Sequence, residues 1–336
     1  MKSSVIKYTI LLIICGSLAF NQSCKKDKEV FKFKYGIFPT DIINLSDLNS
    51  EFDDYNTDAK VLQGQISIVF SSSRKSGGGQ FDLEQGAIPF TYDRMTGEFQ
   101  YSMSMTNDSF TQSLIDKVVT PRDDFGPHRF FCTIDGFEYL ILSSENTSGD
   151  LDFYYIKNLP TLGSNTPEIQ GPYPINLLNT ASNDAYISFN QNFSSAYFSS
   201  DRGGNFDIYT HNFLTESDKT LSDQLDMSYV ASVKVDSVNS SEDDKCPFIH
   251  KNVMVFASNR LGGLGGYDLY YSILKDGKWC APINFGPTIN TPDDEYRPIL
   301  GTATDFKNSY MIFSSNRPGG KGGFDLYFKG IYLSEL

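Results

Sequence analysis

Pairs of acidic or amide side chains recur along the chain, and they are the first residues that could do chemistry. They stand at 53–54, 123–124, 183–184, 243–244 and 293–294. If the strands that follow them line a central channel, the second members form a ring at one channel mouth: Asp54, Asp124, Asp184, Asp244 and Asp294. Such a ring could bind a cation or a basic peptide. The alternative, which we favour, is that each aspartate caps a turn by accepting hydrogen bonds from backbone N–H groups.

A second recurring pair places an arginine and an aspartate on either side of a glycine-rich turn. The best-preserved copy has Arg260 and Asp268 flanking Leu-Gly-Gly-Leu-Gly-Gly-Tyr. An Arg–carboxylate bridge would lock such a hairpin without any ligand, so a structural role is predicted. The four pairs are Arg74 and Asp82, Arg202 and Asp207, Arg260 and Asp268, and Arg317 and Asp325.

Other catalytic signals are weak. His128, His211 and His250 fall in three different repeats with no nucleophile beside them, and no G-x-S-x-G motif occurs. Catalytic groups are normally singular, whereas the acids here occupy repeated positions. We therefore predict no catalytic residue, and no cofactor, because strands rather than a helix follow the glycine-rich loops.

Three cysteines remain after residue 24. Cys132, Cys246 and Cys280 match no metal-ligand spacing, so no metal site is predicted. They allow at most one disulfide, and which pair would form it is open.

The elements that must position these residues repeat five times. Each unit reads as an alternating apolar strand ending in Ser-Ser, a glycine-rich turn, and a strand of the form Phe/Tyr-Asp-Leu/Ile-Tyr, as in 310–327. Glycine permits the positive φ that a tight hairpin needs. Four short antiparallel strands per unit predict an all-β fold, a β-propeller of five four-stranded blades. Six blades are possible if residues 85–120 hide a degenerate copy.

The predicted domain is a single propeller over 35–336. Its fifth unit ends without an outer strand, so the segment 30–45 is expected to close the ring by pairing with residues 324–332, which removes two open edges. The predicted blades are 51–122, 123–182, 183–241, 242–292 and 293–336.

The pattern from Trp279 onward resembles the TolB-like β-propeller repeat. The matching residues are Pro282-Ile-Asn-Phe-Gly, Asp294-Glu295, Ile312-Phe-Ser-Ser-Asn-Arg and Gly-Gly-Phe-Asp325-Leu-Tyr. This resemblance implies a propeller in the cell envelope. It implies little about chemistry, because propellers serve many functions.

The first residues predict export. Lys2 and Lys7 precede a short apolar run, which is typical of a signal peptide over 1–23. The ending Asn-Gln-Ser-Cys24-Lys-Lys-Asp resembles a lipoprotein signal of the Bacteroidetes type, which implies lipidation of Cys24 and a tether over 24–34. The protein is then expected in the outer membrane, facing the periplasm or the cell surface. The alternative is a plain cleaved signal.

The formal net charge of −13 argues against nucleic-acid binding, because an acidic surface repels phosphate backbones. We predict a non-enzymatic, lipid-anchored scaffold that binds an envelope protein or a surface polymer. Two alternatives remain: a glycan hydrolase using carboxylates of the central channel, and a purely structural envelope component. Any binding site is expected where the copies differ, at 84–122, 157–172 and 210–241.

Overall fold

Each sequence repeat folds into one antiparallel sheet, and five sheets form a ring in the computed structural model, which describes residues 31–159, 168–214 and 218–333. The protein is therefore a five-bladed β-propeller, as the repeats predict. Each blade has four strand positions, from an inner strand at the channel to an outer strand at the rim, and in two blades the outer position is divided between two short strands.

The first two blades contain the longest strands. A short strand, β1 (Ile43–Asn44), precedes them. Blade 1 consists of β2 (Asp54–Leu62), β3 (Gln65–Ser72), β4 (Asp82–Tyr92), β5 (Phe99–Tyr101) and β6 (Ser104–Met105). Helix α1 (Ser109–Val118) follows, and blade 2 consists of β7 (Asp124–Phe131), β8 (Glu138–Glu145), β9 (Leu151–Asn158) and β10 (Gln170–Pro174).

The remaining blades follow the same order. Blade 3 consists of β11 (Asp184–Phe189), β12 (Ser195–Ser200), β13 (Asp207–Asn212), and, after helix α2 (Leu221–Leu225), β14 (Val233–Lys234). Blade 4 consists of β15 (Asp244–His250), β16 (Val253–Ser258), β17 (Asp268–Lys275), β18 (Lys278–Trp279) and β19 (Ile283–Asn284). Blade 5 consists of β20 (Glu295–Gly301), β21 (Ser309–Ser315) and β22 (Asp325–Ile331).

The N-terminal segment closes the ring, as predicted. Strand β1 is the outer strand of blade 5, with Ile43 opposite Phe328 in β22. Just before it, Phe38 is fully buried and stacks on Phe306 at 4.0 Å between ring centroids. Because the first and last parts of the described chain share one sheet, opening the ring requires breaking β-ladder hydrogen bonds.

The long interval between blades 1 and 2 holds no sixth blade. It forms the short strands β5 and β6 and helix α1 instead. Asp108 caps α1 by accepting a hydrogen bond from the Thr111 N–H, and Leu114, Ile115 and Val118 pack into the core between the two blades. A helix forms here because the apolar residues recur at helical spacing.

Every inner strand contains one β-bulge close to its start. The pairing register shifts two residues into the strand, for example between Tyr55 and Asp58 in β2 and between Tyr296 and Ile299 in β20. The residue inside each bulge has a positive φ, between 46° and 62°. A bulge turns a strand locally, so these five residues project differently from their neighbours at the narrowest part of the ring.

The predicted lipidation residue lies outside the described part of the chain. Residues 1–30, which contain Cys24, carry no structural description, so the anchor remains a prediction. Among the described residues, no helix has the length and apolar character that a membrane crossing requires.

Candidate active site

The second acid of each of the first four pairs opens an inner strand and is buried in its own blade. Asp54 accepts hydrogen bonds from the Ser50 N–H and from the Ser72 hydroxyl, both at 2.5 Å. The contact with the N–H four residues earlier recurs in the next three blades, at Asp124, Asp184 and Asp244. All four are fully buried. These aspartates therefore hold the turn before each inner strand, and the structure does not bring them together as an open ring.

Blade 5 departs from the predicted ring by one residue. The structural equivalent of Asp54 is Glu295, which accepts a hydrogen bond from the Thr291 N–H at 2.9 Å. Asp294 is instead the equivalent of Asp53, so the aligned pair is 294–295 and not 293–294. The prediction took the two consecutive aspartates at 293–294 as the pair and was wrong by one residue, because Glu295 fills the buried position.

The recurring arginines bind these buried acids rather than the aspartates predicted for them. Arg74 lies 2.6 Å from Asp54 and Arg317 lies 2.9 Å from Glu295. Arg202 and Arg260 pair in the same way with Asp184 and Asp244. The reason is the strand-end serine: in each blade it accepts a hydrogen bond from the arginine Nε and directs the side chain toward the inner strand.

The aspartates that were predicted to pair with these arginines bind other groups instead. Asp268 accepts hydrogen bonds from the backbone N–H groups of its own glycine-rich loop, and Asp325 does the same. Asp207 pairs with Lys234 at 2.7 Å. Asp82 accepts a hydrogen bond from Gln80. The predicted hairpin bridges are thus wrong in their partners, although the residues are structural.

Blade 2 is the exception to the arginine pattern. Asn146 stands where the other blades have arginine, and it binds Asp152 rather than Asp124. Burial raises the pKa of Asp124 to about 7, against the opposing hydrogen bonds from Thr120 and Ser144. Five buried carboxyl groups open the inner strands. Among the described residues, Asp124 is the one of these five that has no cationic partner.

The first member of each pair joins neighbouring blades. An Oδ1 atom of Asp53 accepts a hydrogen bond from the Phe324 N–H at 2.8 Å, across the contact between blades 1 and 5. Asp294 accepts one from the Tyr267 N–H at 2.7 Å, across the contact between blades 5 and 4. The other three positions make the same contact through Asp123, Asn183 and Asp243.

Two of these aspartates line a cavity at the channel mouth. The cavity has a volume of about 430 Å³ and carries six aromatic side chains. The rings are in mutual contact, with centroid distances of 5.0 Å between Tyr55 and Phe81 and 5.4 Å between Tyr267 and Tyr296. The full lining consists of Asp53, Tyr55, Phe81, Tyr186, Tyr267, Asp294, Tyr296 and Phe324.

The local sequence explains why the rings converge. Tyr55, Tyr186 and Tyr296 follow the start of an inner strand by one or two residues, just before or within its bulge. Phe81, Tyr267 and Phe324 each precede a third strand, where the loop crosses toward the next blade. Burial raises the pKa of the three inner-strand phenols well above the usual tyrosine value, so they stay protonated and can donate hydrogen bonds.

The two cavity carboxylates are not neutralised. Within 31–159, 168–214 and 218–333, neither Asp53 nor Asp294 forms an ion pair. Asp294 accepts a second hydrogen bond from the Asn316 side chain at 3.3 Å. Asp243, next to the cavity, differs: it binds the Tyr267 hydroxyl at 2.7 Å and Lys245 at 3.3 Å.

A further carboxylate lies deeper in the channel and is fully engaged. Asp58 is buried and lies 2.7 Å from Arg129 Nε and 3.6 Å from His128 Nδ1. Although burial opposes ionisation, the Arg129 charge and the contacts with His128 lower the pKa of Asp58 well below its usual value. Asp58 therefore stays ionised and does not fit a proton-transfer role.

Several of these features escaped the sequence reasoning. The aromatic cavity joins residues from blades 1, 3, 4 and 5, and no local pattern marks them as a set. The Asp58–Arg129 pair occurs once, so the search for repeats passed over it. Of the three histidines, His128 lies in the channel beside Asp58. Among the described residues, no group of three His, Cys, Asp or Glu side chains is arranged to hold a metal ion.

Comparison with known proteins gives fold relatives only. No family model matches the chain, and no curated protein matches it. Among solved structures, a GH43_1 enzyme from Xanthomonas citri has a TM-score of 0.50 and 10% identity, covering 86% of this chain and 90% of that one. The catalytic domain of a GH62 α-L-arabinofuranosidase from Coprinopsis cinerea has a TM-score of 0.49 and 11% identity, covering 89% of this chain and 98% of that one.

These findings correct three expectations. The resemblance to the TolB-like repeat is wrong as a family assignment, because no family model supports it and the solved structure at a TM-score of 0.50 is a GH43_1 enzyme. The expectation of a non-enzymatic scaffold, and with it the absence of enzyme activity, is corrected as well, because the solved structure that shares the fold at a TM-score of 0.50 is a GH43_1 enzyme. At such low identity the likeness establishes the propeller fold, and the chemistry must be argued from the cavity.

Proposed function

We propose that this protein is a glycan-active hydrolase whose active site is the aromatic cavity at the channel mouth, with Asp53 and Asp294 as its catalytic carboxylates. The observation that carries the proposal is the presence of two aspartates without cationic partners in a single aromatic cavity of about 430 Å³. The glycoside hydrolase propellers that share the fold are consistent with this choice.

The aromatic side chains that line the cavity are suited to binding a sugar ring. The C–H groups on one face of a sugar carry slight positive charge and pack well on the negative face of an aromatic ring. Tyr55 and Tyr296 offer such faces near the inner strands, and their hydroxyls can donate hydrogen bonds to sugar oxygens. The cavity volume lies in the ordinary range for small-ligand sites.

The two carboxylates suit glycosidic bond cleavage. In such a reaction one carboxyl group protonates the leaving oxygen, and the other activates water or attacks the sugar directly. Asp294 is held by two donors, the Tyr267 N–H and the Asn316 amide, which fits the ionised base or nucleophile. Asp53 is held through Oδ1, and no donor in the described residues contacts its Oδ2, which fits the proton donor.

The test is a screen of the purified protein on neutral and acidic polysaccharides, with reducing ends and released oligosaccharides as the measurement. We expect specific cleavage of at least one polymer. Asp53→Asn and Asp294→Asn should each lower kcat/KM by about 100-fold or more, while retaining binding, because an amide neither donates nor accepts the transferred proton.

Asp123→Asn is the matched control. Asp123 holds the Phe81 N–H just as Asp53 holds the Phe324 N–H, but it does not line the cavity. This variant should cleave at the wild-type rate. The proposal fails if no polymer in the panel is cleaved, or if both cavity variants remain as active as the control.

We also propose that a lipid on Cys24 holds the enzyme at the outer membrane, where a polymer at the cell surface would be its partner. The support is the sequence alone, with a signal-like segment ending in Ser-Cys. Metabolic labelling with a fatty acid should label the wild type and leave Cys24→Ser unlabelled. Equal labelling of both proteins would contradict the anchor.

A further inference from the structure

One residue in each bulge faces the centre of the ring. The five residues share a left-handed backbone and are all buried: Asn56, Gly126, Tyr186, Cys246 and Arg297. Gly126 leaves room for its neighbour, since a Cβ atom there would lie 2.7 Å from the Tyr186 ring. These five residues, the bulge ring, lie beneath the aromatic cavity, and they share Tyr186 with its lining.

Arg297 in this ring is buried and lacks partners. It is 0% exposed, and none of its three side-chain nitrogens donates a hydrogen bond within the described residues. Its guanidinium lies over the Tyr186 ring, 5.5 Å from the centroid. A buried charge without hydrogen bonds strongly destabilises the folded state unless an opposite charge accompanies it.

Among the residues that the structure describes, no group supplies that opposite charge. The acidic and phenolic groups that interact electrostatically with Arg297 are Cys246, Tyr186, Asp58 and Tyr296. Burial raises the pKa of Cys246 to about 11 and those of both tyrosines further, so the three are neutral at physiological pH. Asp58 is the remaining anion, and it is committed to Arg129 at 2.7 Å.

Around Arg297, the positive charges therefore exceed the negative charges by one. Arg129 and Arg297 carry two positive charges and Asp58 carries one negative charge. Lys60, which also interacts with Arg129 and Asp58, is balanced by Glu138. His128 adds none, because burial lowers its pKa despite the nearby Asp58. Burial also lowers the pKa of Arg297, yet a guanidinium stays protonated in proteins. One monovalent anion would balance the set.

Asn56 supplies a second donor on the same ring. It is fully buried, and both polar atoms of its side chain lack a hydrogen-bond partner within the described residues. Arg297 lies over the Tyr186 ring, and Asn56 occupies the same bulge position in the neighbouring blade 1. The bulges of two neighbouring blades thus carry buried donors that have no hydrogen-bond partner among the described residues.

We propose that Arg297 and Asn56 bind a small monovalent anion of the halide class at the bulge ring, beneath the proposed active site. A free ion fits better than a carboxylate carried by an acidic sugar, because Arg297 has no exposed surface and Tyr186 lies between it and the cavity. The anion would stabilise the centre of the ring without taking part in bond cleavage.

Chloride titration at constant ionic strength, balanced with methanesulfonate, tests this site on the full protein. Ligand that binds only the folded state raises Tm, by roughly 5 °C when chloride exceeds its Kd about 100-fold. Arg297→Met should remove the dependence. Asn56→Gly, which suits the φ of 57°, should weaken chloride binding about 10-fold.

Arg317→Met is the matched control, since it also removes a largely enclosed arginine, but one already paired with Glu295. It should lower Tm and keep the full chloride dependence. If Arg297→Met does not fold, diffraction from crystals grown in bromide still decides the question, and an anomalous peak within hydrogen-bond distance of Arg297 supports the proposal.

A final experiment distinguishes a free halide ion from the carboxylate of an acidic sugar. Glucuronate should leave the bromide peak in place if the ion is free, and should displace it if the site receives a sugar carboxylate, which would overturn the halide assignment. A chloride-independent Tm, together with no anomalous peak or with water alone at Arg297, would overturn the site itself. Neither result depends on whether the protein cleaves a glycan.

Discussion

Asp124 is the residue at which a single substitution has the clearest consequence. Its pKa is raised to about 7 by burial, far above the ordinary aspartate value near 4 in the unfolded chain. The folded state therefore binds a proton more tightly than the unfolded state. The contribution of Asp124 to stability is full below about pH 4 and is lost as the pH rises to about 7.

We expect Asp124→Asn to be more stable than the wild type at pH 8, by about 2 kcal/mol, and nearly equal to it at pH 4. Urea unfolding at both values measures the difference. Asp184→Asn is the contrast, because it strips the partner from Arg202 and should destabilise by about 3–5 kcal/mol at pH 8. Equal effects of the two substitutions would show that Asp124 is ionised at little cost.

Gly323 bears on the proposed catalytic group. A Cβ atom at this position would lie 2.3 Å from Asp53 Oδ1, so Gly323→Ala must displace the carboxyl group. Because misplacing a reacting group by about 1 Å can cost 100-fold in rate, we expect kcat to fall by about that factor. Gly79→Ala, whose Cβ would meet only ordinary contacts with Ser76, is the control. A wild-type kcat in Gly323→Ala would remove Asp53 from the mechanism.

At the level of elements, the closing segment is the part of the ring most open to a test. Phe38 packs against four further aromatic rings besides Phe306, and its N–H donates to the Asn308 side chain at 2.8 Å. Phe38→Ala should cost about 3–5 kcal/mol in free energy of unfolding, because it leaves a cavity where the chain ends meet.

Phe31→Ala is the control for this element, since Phe31 is 47% exposed and lies on the same segment. It should change stability by less than about 0.5 kcal/mol. Urea denaturation followed by tyrosine fluorescence compares the two. Similar midpoints for both variants would mean that the closing segment contributes little to the cooperative unit.

At the same scale, the strands show what the sequence could predict. Five copies of one strand–turn–strand pattern were enough for five blades and for closure by the N-terminal segment. The arginine partners were missed because Asp54 lies 20 residues before Arg74, whereas Asp82 is just across the turn. Chain proximity is a poor guide when β2 and β3 bring distant residues side by side.

The bulges carried no usable sequence signal at all. Asn, Gly, Tyr, Cys and Arg occupy the same backbone position in successive blades. Only the ring geometry shows that these five residues meet, and the lack of a hydrogen-bond partner for Arg297 among the described residues depends on all of its neighbours. The cavity and the channel form only when the blades pack into a ring, so the sequence periodicity within one blade could not predict them.

For the whole molecule, net charge makes a prediction about substrate preference. The formal charge of −13 gives the protein a repulsive field toward acidic polymers, and salt screens that field. If the cavity accepts both polymer types, cleavage of an acidic polysaccharide should speed up between about 10 mM and 150 mM ionic strength, where the Debye length falls from about 30 Å to about 8 Å.

Cleavage of a neutral polymer should stay constant over the same range, because no long-range force acts on an uncharged chain. Initial rates at substrate concentrations below KM measure the encounter step in both cases, with methanesulfonate as the added salt and chloride held fixed so that the bulge ring is unaffected. The sign of the effect is the deciding quantity. A rate on the acidic polymer that falls with salt would mean that a local cationic surface captures the substrate, and that the overall charge of the molecule does not govern its approach to the cavity.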